Sequence, residues 1–521
     1  MVVSLAAAAE APYVRAAKPV KDDQGRNRVI VDFDDKAHLS YPGKLPILPE
    51  KSSTRQVEPV VFFHTEKTLA LVADFEKRYG FKRLGITSWV GNSVTAALNP
   101  DVIEQLRKDP LVRQISDDEY QELSATPPPW SYSSSGNEWT SWGHHAVNGK
   151  VATVNTGRKI YIIDAGVAFH DDLPPMTRLN VACGSDTNCN SMSPGQYPLV
   201  GCYGHATHVA GIIGAISGNN KSMRGAYAGF PNMVSLAISV REPAISDDCG
   251  NTIGSGAIGN ALDYIAFDTT QNNPQRLVNI VNMSINPGGV QYVNYQQPQP
   301  NWPKVKAITN TIWAYGIPIQ PGVLFVQSAG NVPDVPQGCG SVFRPDYGVN
   351  ALPDDGVLVV GATHHTGEAV RPGALFNATS PAGLTADAGY SNYGGCVDVW
   401  AVGNLVLSTW GNNDVATAPL HPDGNRMFTE GTIHSITNPY SGDFPGSTTG
   451  WAFLSGTSMA APFVAAGAAW LADTFGYTTA GELEKEIRKN ICQFNGNVDW
   501  DSLPVKVFQL PNAPASAISC P

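Results

Sequence analysis

Four polar residues, each flanked by small side chains, lie where a reactive group would be accessible. Asp164 ends the apolar run YIID, His205 opens the helix-like segment HATHVAG, Asn331 follows the apolar run LFVQSAG, and Ser458 begins the small-residue segment SMAAPFVAAGAAW. In open α/β sheets, reactive groups collect at the carboxyl ends of the strands. An acid, a histidine and a serine that meet there could activate the serine as a nucleophile.

Each of these residues also has an ordinary structural alternative. Asp164 alone is a common turn cap, and Asn331 alone is a common turn residue. Ser458 could be a simple N-cap, although it also lies beside free backbone N–H groups and the positive end of a helix dipole. His205 and His208, three residues apart, could hold a metal, but no carboxylate follows at the spacing of zinc proteases. A titrating base is therefore the favoured use of His205.

The elements that must position these residues are predicted by short, continuous apolar runs that alternate with helix-like segments. Such runs are typical of strands that are buried on both faces, so the alternation predicts a mainly parallel sheet with helices on both sides. The predicted strands are 158–164, 233–240, 277–285, 323–329 and 357–363, and the predicted helices are 207–215, 255–266, 305–316 and 481–490.

A separate small α+β unit is predicted before this sheet. Its strands are expected at 59–64, 93–98 and 111–116, and its helices at 66–79 and 100–110. The passage TPPPWSYSSSGNEW then breaks all periodicity, which indicates a linker or an exposed loop. We therefore divide the chain into an N-terminal segment, 1–54, a small domain, 55–120, a linker, 121–145, and a large domain with a C-terminal extension, 146–521.

Charge and cysteine content restrict the partners and the compartment. The net charge is −11, and residues 126–521 hold most of it, with 17 basic against 27 acidic residues. This acidity disfavours nucleic acid and anionic lipid as partners.

All 8 cysteines lie beyond residue 180, without a CxxC pair, which favours disulfides in an oxidising compartment over a zinc site or scattered buried thiols. The start, MVVSLAAAAEAPY, fits the remnant of a trimmed signal peptide and is too short to span a bilayer. We expect a secreted monomer that binds no membrane.

Four segments together resemble one family, the subtilisin-like serine proteases or subtilases. They are DAG at 164–166, HATHVAG at 205–211, SAGN at 328–331 and GTSMAAP at 456–462, in the family's order of Asp, His and Ser. Smaller agreements at 282–284, 361–363, 391–394 and 397–403 extend the resemblance from about 158 to 475. It implies a three-layer α/β domain with a mainly parallel central sheet, preceded by a small α+β, ferredoxin-like propeptide.

The resemblance implies a role for each matched residue. Ser458 would attack the scissile carbonyl, His205 would take and return its proton, and Asp164 would orient the imidazole, as in the serine-protease triad of which subtilisin is itself an example. Asn331 would donate its amide N–H to the oxyanion. His208 would be structural. Substrate would bind along two segments: Ser284, Ile285 and Asn286, and Ser328, Ala329 and Gly330.

The resemblance also implies partners and disulfides. The substrates would be polypeptides, and the propeptide would inhibit the enzyme and assist its folding until self-cleavage within 119–140. The chemistry needs no cofactor, but family members often bind structural calcium. Cys202–Cys249 and Cys339–Cys396 correspond to the disulfides of aqualysin- and proteinase K-like members, and Cys183–Cys189 and Cys492–Cys520 would pair the remainder, although sequence alone does not fix connectivity.

The sequence departs from the family pattern in three places. Ala206 replaces a glycine beside the histidine, and Ser284-Ile285-Asn286-Pro287 replaces Ser-Leu-Gly-Gly, so the edge of the specificity pockets should differ. An insertion, 411–450, precedes the nucleophile and could overhang the cleft or decorate the surface.

The sequence thus predicts a secreted serine endopeptidase that is matured by self-cleavage. Two alternatives stay open. A dedicated precursor-processing subtilase would not digest casein broadly. An inactive, subtilisin-shaped binding protein is disfavoured because the three triad positions and Asn331 are all filled.

Overall fold

A computed structural model describes most of the chain. The described residues are 10–15, 19, 21–22, 24–34, 37–41, 66–87, 92–118, 121–122, 133–135, 138–140, 142–153, 155–181, 203–219, 223–238, 255–287, 301–309, 312–314, 317–319, 322–331, 355–363, 391–395, 397–404, 406–410, 427–428, 450–492 and 506–511.

The N-terminal unit is a five-stranded sheet with two helices. Its elements are β1 (Tyr13–Val14), β2 (Asn27–Phe33), a 3-10 turn (Ala37–Ser40), α1 (Glu66–Tyr79), β3 (Arg83–Thr87), β4 (Ser93–Leu98), α2 (Pro100–Leu106) and β5 (Val112–Asp117). The strand order is β1-β5-β2-β4-β3, and β2 runs antiparallel to both of its neighbours. With helices after β2 and β4, this is the ferredoxin-like arrangement with one added edge strand.

Strand β2 is the main difference from the sequence-based expectation for this unit. It lies within 1–54, where no element was predicted, yet it is the central strand and its last five residues are buried. The charged and polar run KDDQGRNR, which ends with the first two residues of this strand, obscures the apolar pattern. The small domain therefore includes residues before its predicted start at 55. The predicted strand at 59–64 lies outside the described residues.

The rest of the chain contributes twenty further strands and six helices among the described residues. The strands are β6 (Gln121–Glu122), β7 (Ser133–Ser135), β8 (Glu138–Thr140), β9 (Lys150–Val151), β10 (Ile160–Asp164), β11 (Thr177–Asn180), β12 (Tyr227–Ala228), β13 (Met233–Ala237), β14 (Asn279–Met283), β15 (Asn286–Pro287), β16 (Ile312–Ala314), β17 (Ile317–Ile319), β18 (Val323–Ser328), β19 (Val357–Thr363), β20 (Val399–Val402), β21 (Val406–Trp410), β22 (Met427–Phe428), β23 (Gly450–Leu454), β24 (Ile491–Cys492) and β25 (Val507–Phe508). The helices are α3 (Trp142–Val147), α4 (Tyr203–Gly214), α5 (Ser255–Gln271), α6 (Trp302–Ile308), α7 (Thr457–Phe475) and α8 (Ala480–Lys489).

Nine of these strands form the central sheet, in the order β11-β13-β10-β14-β18-β19-β20-β25-β24. All neighbours run parallel except β24 and β25. Successive residues of β10 enter opposite cores: Ile160 and Ile162 pack with α4 and α7, whereas Tyr161 and Ile163 pack with α5. Burial on both faces explains the continuous apolar runs, and the result is the predicted three-layer α/β domain.

Two elements differ from the predictions for this domain. The helix expected at 305–316 ends at Ile308, and the antiparallel strands β16 and β17 follow. The run Thr-Asn-Thr-Ile-Trp after Ile308 is rich in β-branched and aromatic residues, which favour strands over helix. The described part of the linker contains the short hairpin β7–β8 and then α3.

A buried ion pair joins the sheet to the longest helix. Arg158, just before β10, donates from Nε to Asp473 Oδ1 at 2.7 Å, and Asp473 lies in the last turn of α7. The hydroxyl of Thr156 donates to the same carboxylate oxygen at 2.7 Å, and that of Tyr227 donates to the other at 3.2 Å. The end of α7 that is remote from Ser458 is thereby fixed to the start of the strand that carries Asp164.

None of the helices within the described ranges combines the length and the apolar character that a membrane crossing requires.

Candidate active site

Asp164 and His205 form a buried pair at the carboxyl edge of the sheet. Nδ1 of His205 lies 2.9 Å from Oδ2 and 3.1 Å from Oδ1 of Asp164, and the backbone N–H of Ala165 donates to Oδ1 at 2.7 Å. Gly166 next turns the chain with φ +114°, which favours glycine. A carboxylate only accepts, so the proton of the imidazole lies on Nδ1 and Nε2 is left as the base. Nε2 is buried and has no hydrogen-bond partner among the described residues.

The turn of α4 that follows His205 is held from two directions. The hydroxyl of Thr207 accepts from the backbone N–H of Ala168, in the loop after Asp164, at 2.9 Å. His208 is fully buried, and its Nε2 lies 2.9 Å from the carbonyl oxygen of Val406. His208 is therefore part of the packing of α4. Among the described residues, no group of three or more His, Cys, Asp or Glu side chains is arranged to hold a metal.

Strand β21 lies directly against this helix. The hydroxyls of Ser408 and Thr409 donate to the carbonyl oxygens of His208 and Thr207, each at 2.7 Å. Gly211 makes this approach possible, because a Cβ built on it would collide with both hydroxyls. Since β21 pairs with β23, which leads into α7, the helices of His205 and Ser458 are connected through one small sheet.

Ser458 is the second residue of α7 and is almost fully buried. Its Oγ donates to the carbonyl oxygen of Ser284 at 2.9 Å. The Oγ of Ser284 in turn donates to the carbonyl oxygen of Ser458 at 2.9 Å, and it accepts from Nδ2 of Asn282 at 3.0 Å. Among the described residues, the Ser458 hydroxyl is therefore hydrogen-bonded to Ser284, and no hydrogen bond joins it to Nε2 of His205.

Asn331 is oriented by the residue that precedes the serine. Its Oδ1 accepts from the backbone N–H of Thr457 at 2.9 Å and from the hydroxyl of Thr457 at 2.7 Å. Because a backbone N–H can only donate, the amide atom that faces it is the oxygen. The Nδ2 group of Asn331 is therefore directed elsewhere. The Thr457 hydroxyl accepts from the N–H of Gly330 at 3.0 Å, which ties the two segments together.

The residues predicted to bind substrate lie at the carboxyl ends of two neighbouring strands, β14 and β18. Met283 of β14 is paired with Gln327 of β18, so Ser284 and Ile285 emerge beside Ser328, Ala329 and Gly330. Gly330 has φ +100°, which favours glycine.

The 328–330 loop is supported by Asn392, a residue to which the sequence analysis gave no role. Its Nδ2 donates to the carbonyl oxygen of Ala329 at 2.8 Å, and its N–H donates to that of Gly330 at 2.9 Å. The only sequence signal for it was its place within the matched SNYG segment.

The end of the small domain and the first residues of the linker reach the edge of this site. Strand β6 pairs antiparallel with β15, with Glu122 opposite Asn286 and Gln121 opposite Pro287. Just before β6, Oδ1 of Asp118 accepts from the N–H of Gly256 in the first turn of α5, at 3.1 Å. Strand β6 thus lies opposite Asn286, which was predicted to bind substrate, and Asp118 contacts the start of α5.

Several sequence-based predictions fall partly or wholly outside the described residues. Of the insertion 411–450, only β22 and Gly450 are described, and β22 pairs with β23. Ala206, the departure beside the histidine, is fully buried in the core, so its methyl group is accommodated. The described residues do not include Cys183, Cys189, Cys202, Cys249, Cys339, Cys396 and Cys520, and the side chain of Cys492 is not described, so the four disulfides stay predictions.

Comparison with known proteins agrees with this fold. Residues 155–501 match the family model described as the subtilase family. The alkaline protease of Alkalihalobacillus alcalophilus is 25% identical over 376 residues, 72% of this chain and 68% of that protein. The extracellular serine proteinase of Thermus sp. (strain Rt41A) is 26% identical over 333 residues, 62% of either protein. Fervidolysin from Fervidobacterium pennivorans, a keratinolytic enzyme related to subtilisin, superimposes with a TM-score of 0.52 at 17% identity, over 96% of this chain and 62% of its own.

The large domain is therefore a subtilisin-like domain of the three-layer α/β class. The chain belongs to the subtilase family and is a serine endopeptidase. The fold class, the family and the enzyme class predicted from the sequence are confirmed.

Proposed function

We propose that the chain is a secreted precursor that hydrolyses peptide bonds through an acyl-enzyme intermediate on Ser458. The observation that carries the proposal is the buried Asp164–His205 pair, with Nδ1 at 2.9 Å from the carboxylate and Nε2 left open. A base held in this tautomer can take a proton from a hydroxyl that turns toward it. Secretion is supported by the names of relatives such as the extracellular serine proteinase of Thermus and by the eight cysteines.

The proposed reaction begins when the Ser458 hydroxyl leaves the carbonyl of Ser284 and turns to Nε2 of His205. Its oxygen attacks the scissile carbonyl carbon while His205 takes the proton, and Asp164 stabilises the imidazolium that forms. The new oxyanion accepts from Nδ2 of Asn331 and from the backbone N–H of Ser458, which is free because it lies in the first turn of α7. His205 then gives its proton to the leaving amine, the C–N bond breaks, and water releases the acyl group by the same steps in reverse order.

We further propose that the small domain is the propeptide. Strand β6 occupies the edge of β15, and the carboxylate of Asp118 binds the N-terminus of α5, where the helix dipole favours an anion. A segment held in this way would keep a polypeptide out of the cleft until the chain is cut within 119–140. Structural calcium, which the family resemblance also implies, stays a prediction, and no step of the chemistry uses it.

The test compares the wild-type chain with Ser458→Ala. We expect the wild type to shorten to a mature enzyme and to digest casein, and the variant to remain full-length and inactive because it has no nucleophile. The measurements are mass spectrometry of the intact chain and release of soluble peptides from casein. A Ser458→Ala chain that still matures and digests casein would show that Ser458 is not the nucleophile. A wild type that matures but cleaves very few proteins would favour the dedicated processing protease.

A further inference from the structure

The helix that carries Ser458 contains a proline at a specific distance from it. Pro462 lies inside α7, four residues after Ser458. A proline has no backbone N–H, so the carbonyl group four residues earlier loses its helical donor, and the ring also crowds that carbonyl. The carbonyl oxygen of Ser458 therefore lacks the backbone donor that a regular α-helix would supply.

Ser284, from the neighbouring strand end, supplies a donor to this oxygen at 2.9 Å. The direction of its hydroxyl proton is defined by its other partner. Nδ2 of Asn282 can only donate, and it lies 3.0 Å from Oγ of Ser284, so the hydroxyl accepts there and has its single proton for the carbonyl of Ser458. Asn282, Ser284 and Ser458 are all at most 1% exposed, so water does not compete for these bonds.

We propose that Ser284 is a positioning residue for the nucleophile. Its side chain replaces the backbone N–H that Pro462 withholds, and in this way it fixes the main chain of Ser458 and the direction of its Cα–Cβ bond. The inference rests on the proposed function of Ser458. The proposed positioning role belongs to the side chain of Ser284. The substrate contact expected from the family resemblance involves instead the strand edge at 284–286.

Loss of this hydroxyl should affect the chemical step more than substrate binding. The carbonyl of Ser458 would be buried without a donor, and the first turn of α7 would shift to find one. Such a shift displaces both Oγ, which must meet His205, and the N–H of Ser458, which must meet the oxyanion. A displacement of about 1 Å at reacting groups can lower the rate roughly a hundredfold.

The structure offers a specific rescue. Pro462→Ala returns a backbone N–H at the position from which a helix would donate to the carbonyl of Ser458. The variants are Ser284→Ala, Pro462→Ala and the double variant. Thr270→Val is the matched control, because it also removes a hydroxyl that donates to a helix carbonyl, that of Ala266 at 2.7 Å, but on α5.

Each variant is prepared as the full chain, allowed to mature, and measured for kcat and KM on a peptide amide. The rate of inactivation by phenylmethanesulfonyl fluoride reports the reactivity of Ser458 without a peptide. For Ser284→Ala we expect kcat and the inactivation rate to fall between about tenfold and a hundredfold, with KM changed by less than about threefold. The double variant should recover to within about tenfold of Pro462→Ala, and Thr270→Val should match the wild type.

The inference is wrong if Ser284→Ala reacts like Thr270→Val, or if the double variant is as slow as Ser284→Ala. If Ser284→Ala fails to mature, the same comparison applies to maturation: the double variant should mature, and its failure to do so would contradict the inference. Failure of the proposed function is distinct, because the wild type itself would then resist the reagent and show no peptidase activity.

Discussion

At the scale of single residues, Thr457 determines which end of the Asn331 amide is free to donate. Two donors of Thr457, its N–H and its hydroxyl, hold the amide oxygen at 2.9 and 2.7 Å. The amide nitrogen is thereby assigned as the end that can bind an oxyanion. Sequence reasoning predicted the asparagine from the segment SAGN, but it could not predict this orientation, because the partner lies 126 positions away along the chain.

Replacing Asn331 by alanine should slow the chemical step without weakening substrate binding. We expect kcat to fall roughly a hundred- to thousandfold, the range already established for the equivalent donor of subtilisin, with KM nearly unchanged. Steady-state kinetics on a peptide amide measure this. Asn155→Ala, at an exposed turn, is the control and should behave as the wild type. A raised KM with an unchanged kcat would mean that Asn331 binds substrate instead.

At the scale of elements, the sequence is informative where a strand is buried on both faces. Strands β10, β18 and β19 were predicted to within two residues of their bounds, because an uninterrupted apolar run has one stable placement in an α/β sheet. Strand β2 was missed because its pairing partners, β4 and β5, are more than 60 residues away and no local signal encodes that pairing. For the candidate site, the sequence suggests which residue types take part, whereas the contacts made by Thr457, Asn392 and Ser284 Oγ are visible only in the fold.

The contacts between helix α8 and the sheet include one buried carboxylate, that of Glu484. Oε2 of Glu484 accepts from the N–H of Gly356 at 2.7 Å, just before β19, and Oε1 pairs with Arg488 at 2.6 Å. Burial raises the pKa of Glu484 to about 7, although Arg488 opposes the shift, and the carboxylates of Asp398 and Asp355 add to it. The attachment of this helix should therefore depend on pH.

The sign of that dependence follows from the two protonation states. Between about pH 4.5, the pKa of an unfolded glutamate, and about pH 7, the folded state holds a proton that the unfolded state has lost. The contribution of Glu484 is therefore most favourable at low pH and is lost as pH rises through this window, by on the order of 3 kcal/mol.

Glu484→Gln should remove this slope from the pH dependence of stability. The measurement is the unfolding free energy from urea titrations at pH 5 to 8, in a Ser458→Ala background that prevents self-digestion. Glu104→Gln, on the exposed face of α2, is the control and should keep the slope of the parent. A Glu484→Gln chain whose stability still falls between pH 5 and 7 as steeply as the parent's would contradict the assignment.

At the scale of the whole molecule, polar contacts of Asp118 join the small domain to the large one. Asp118 accepts from the N–H of Gly256 in the large domain at 3.1 Å, and it pairs with Arg28 of its own domain at 2.9 Å. The nearby close approach of Gly256 to Thr95 leaves no space for a side chain on the glycine. The sequence contains no local signal for which residues of the two domains would meet.

Asp118→Ala should loosen the small domain from the large one. Because the first turn of α5 loses its acceptor and Arg28 loses its partner, we expect the proposed propeptide to dissociate more readily after cleavage. Casein hydrolysis should therefore begin earlier in a maturation time course, several-fold in rate for a contact of about 1 kcal/mol. Asp101→Ala, at the exposed start of α2, should follow the wild-type course. An unchanged lag for Asp118→Ala would show that this contact does not restrain the propeptide.

The ion pair between Arg158 and Asp473 has a consequence for how this enzyme tolerates change. Strand β10 ends at Asp164, and α7 begins beside Ser458. The ion pair joins the strand and the helix near their opposite ends, about 20 Å along the strand from Asp164 and about 22 Å along the helix from Ser458. The ion pair therefore helps to set the separation of Asp164 and Ser458 through the strand and the helix that carry them. Such an arrangement allows a long insertion like 411–450 to be gained, lost or redesigned while the chemistry stays in register.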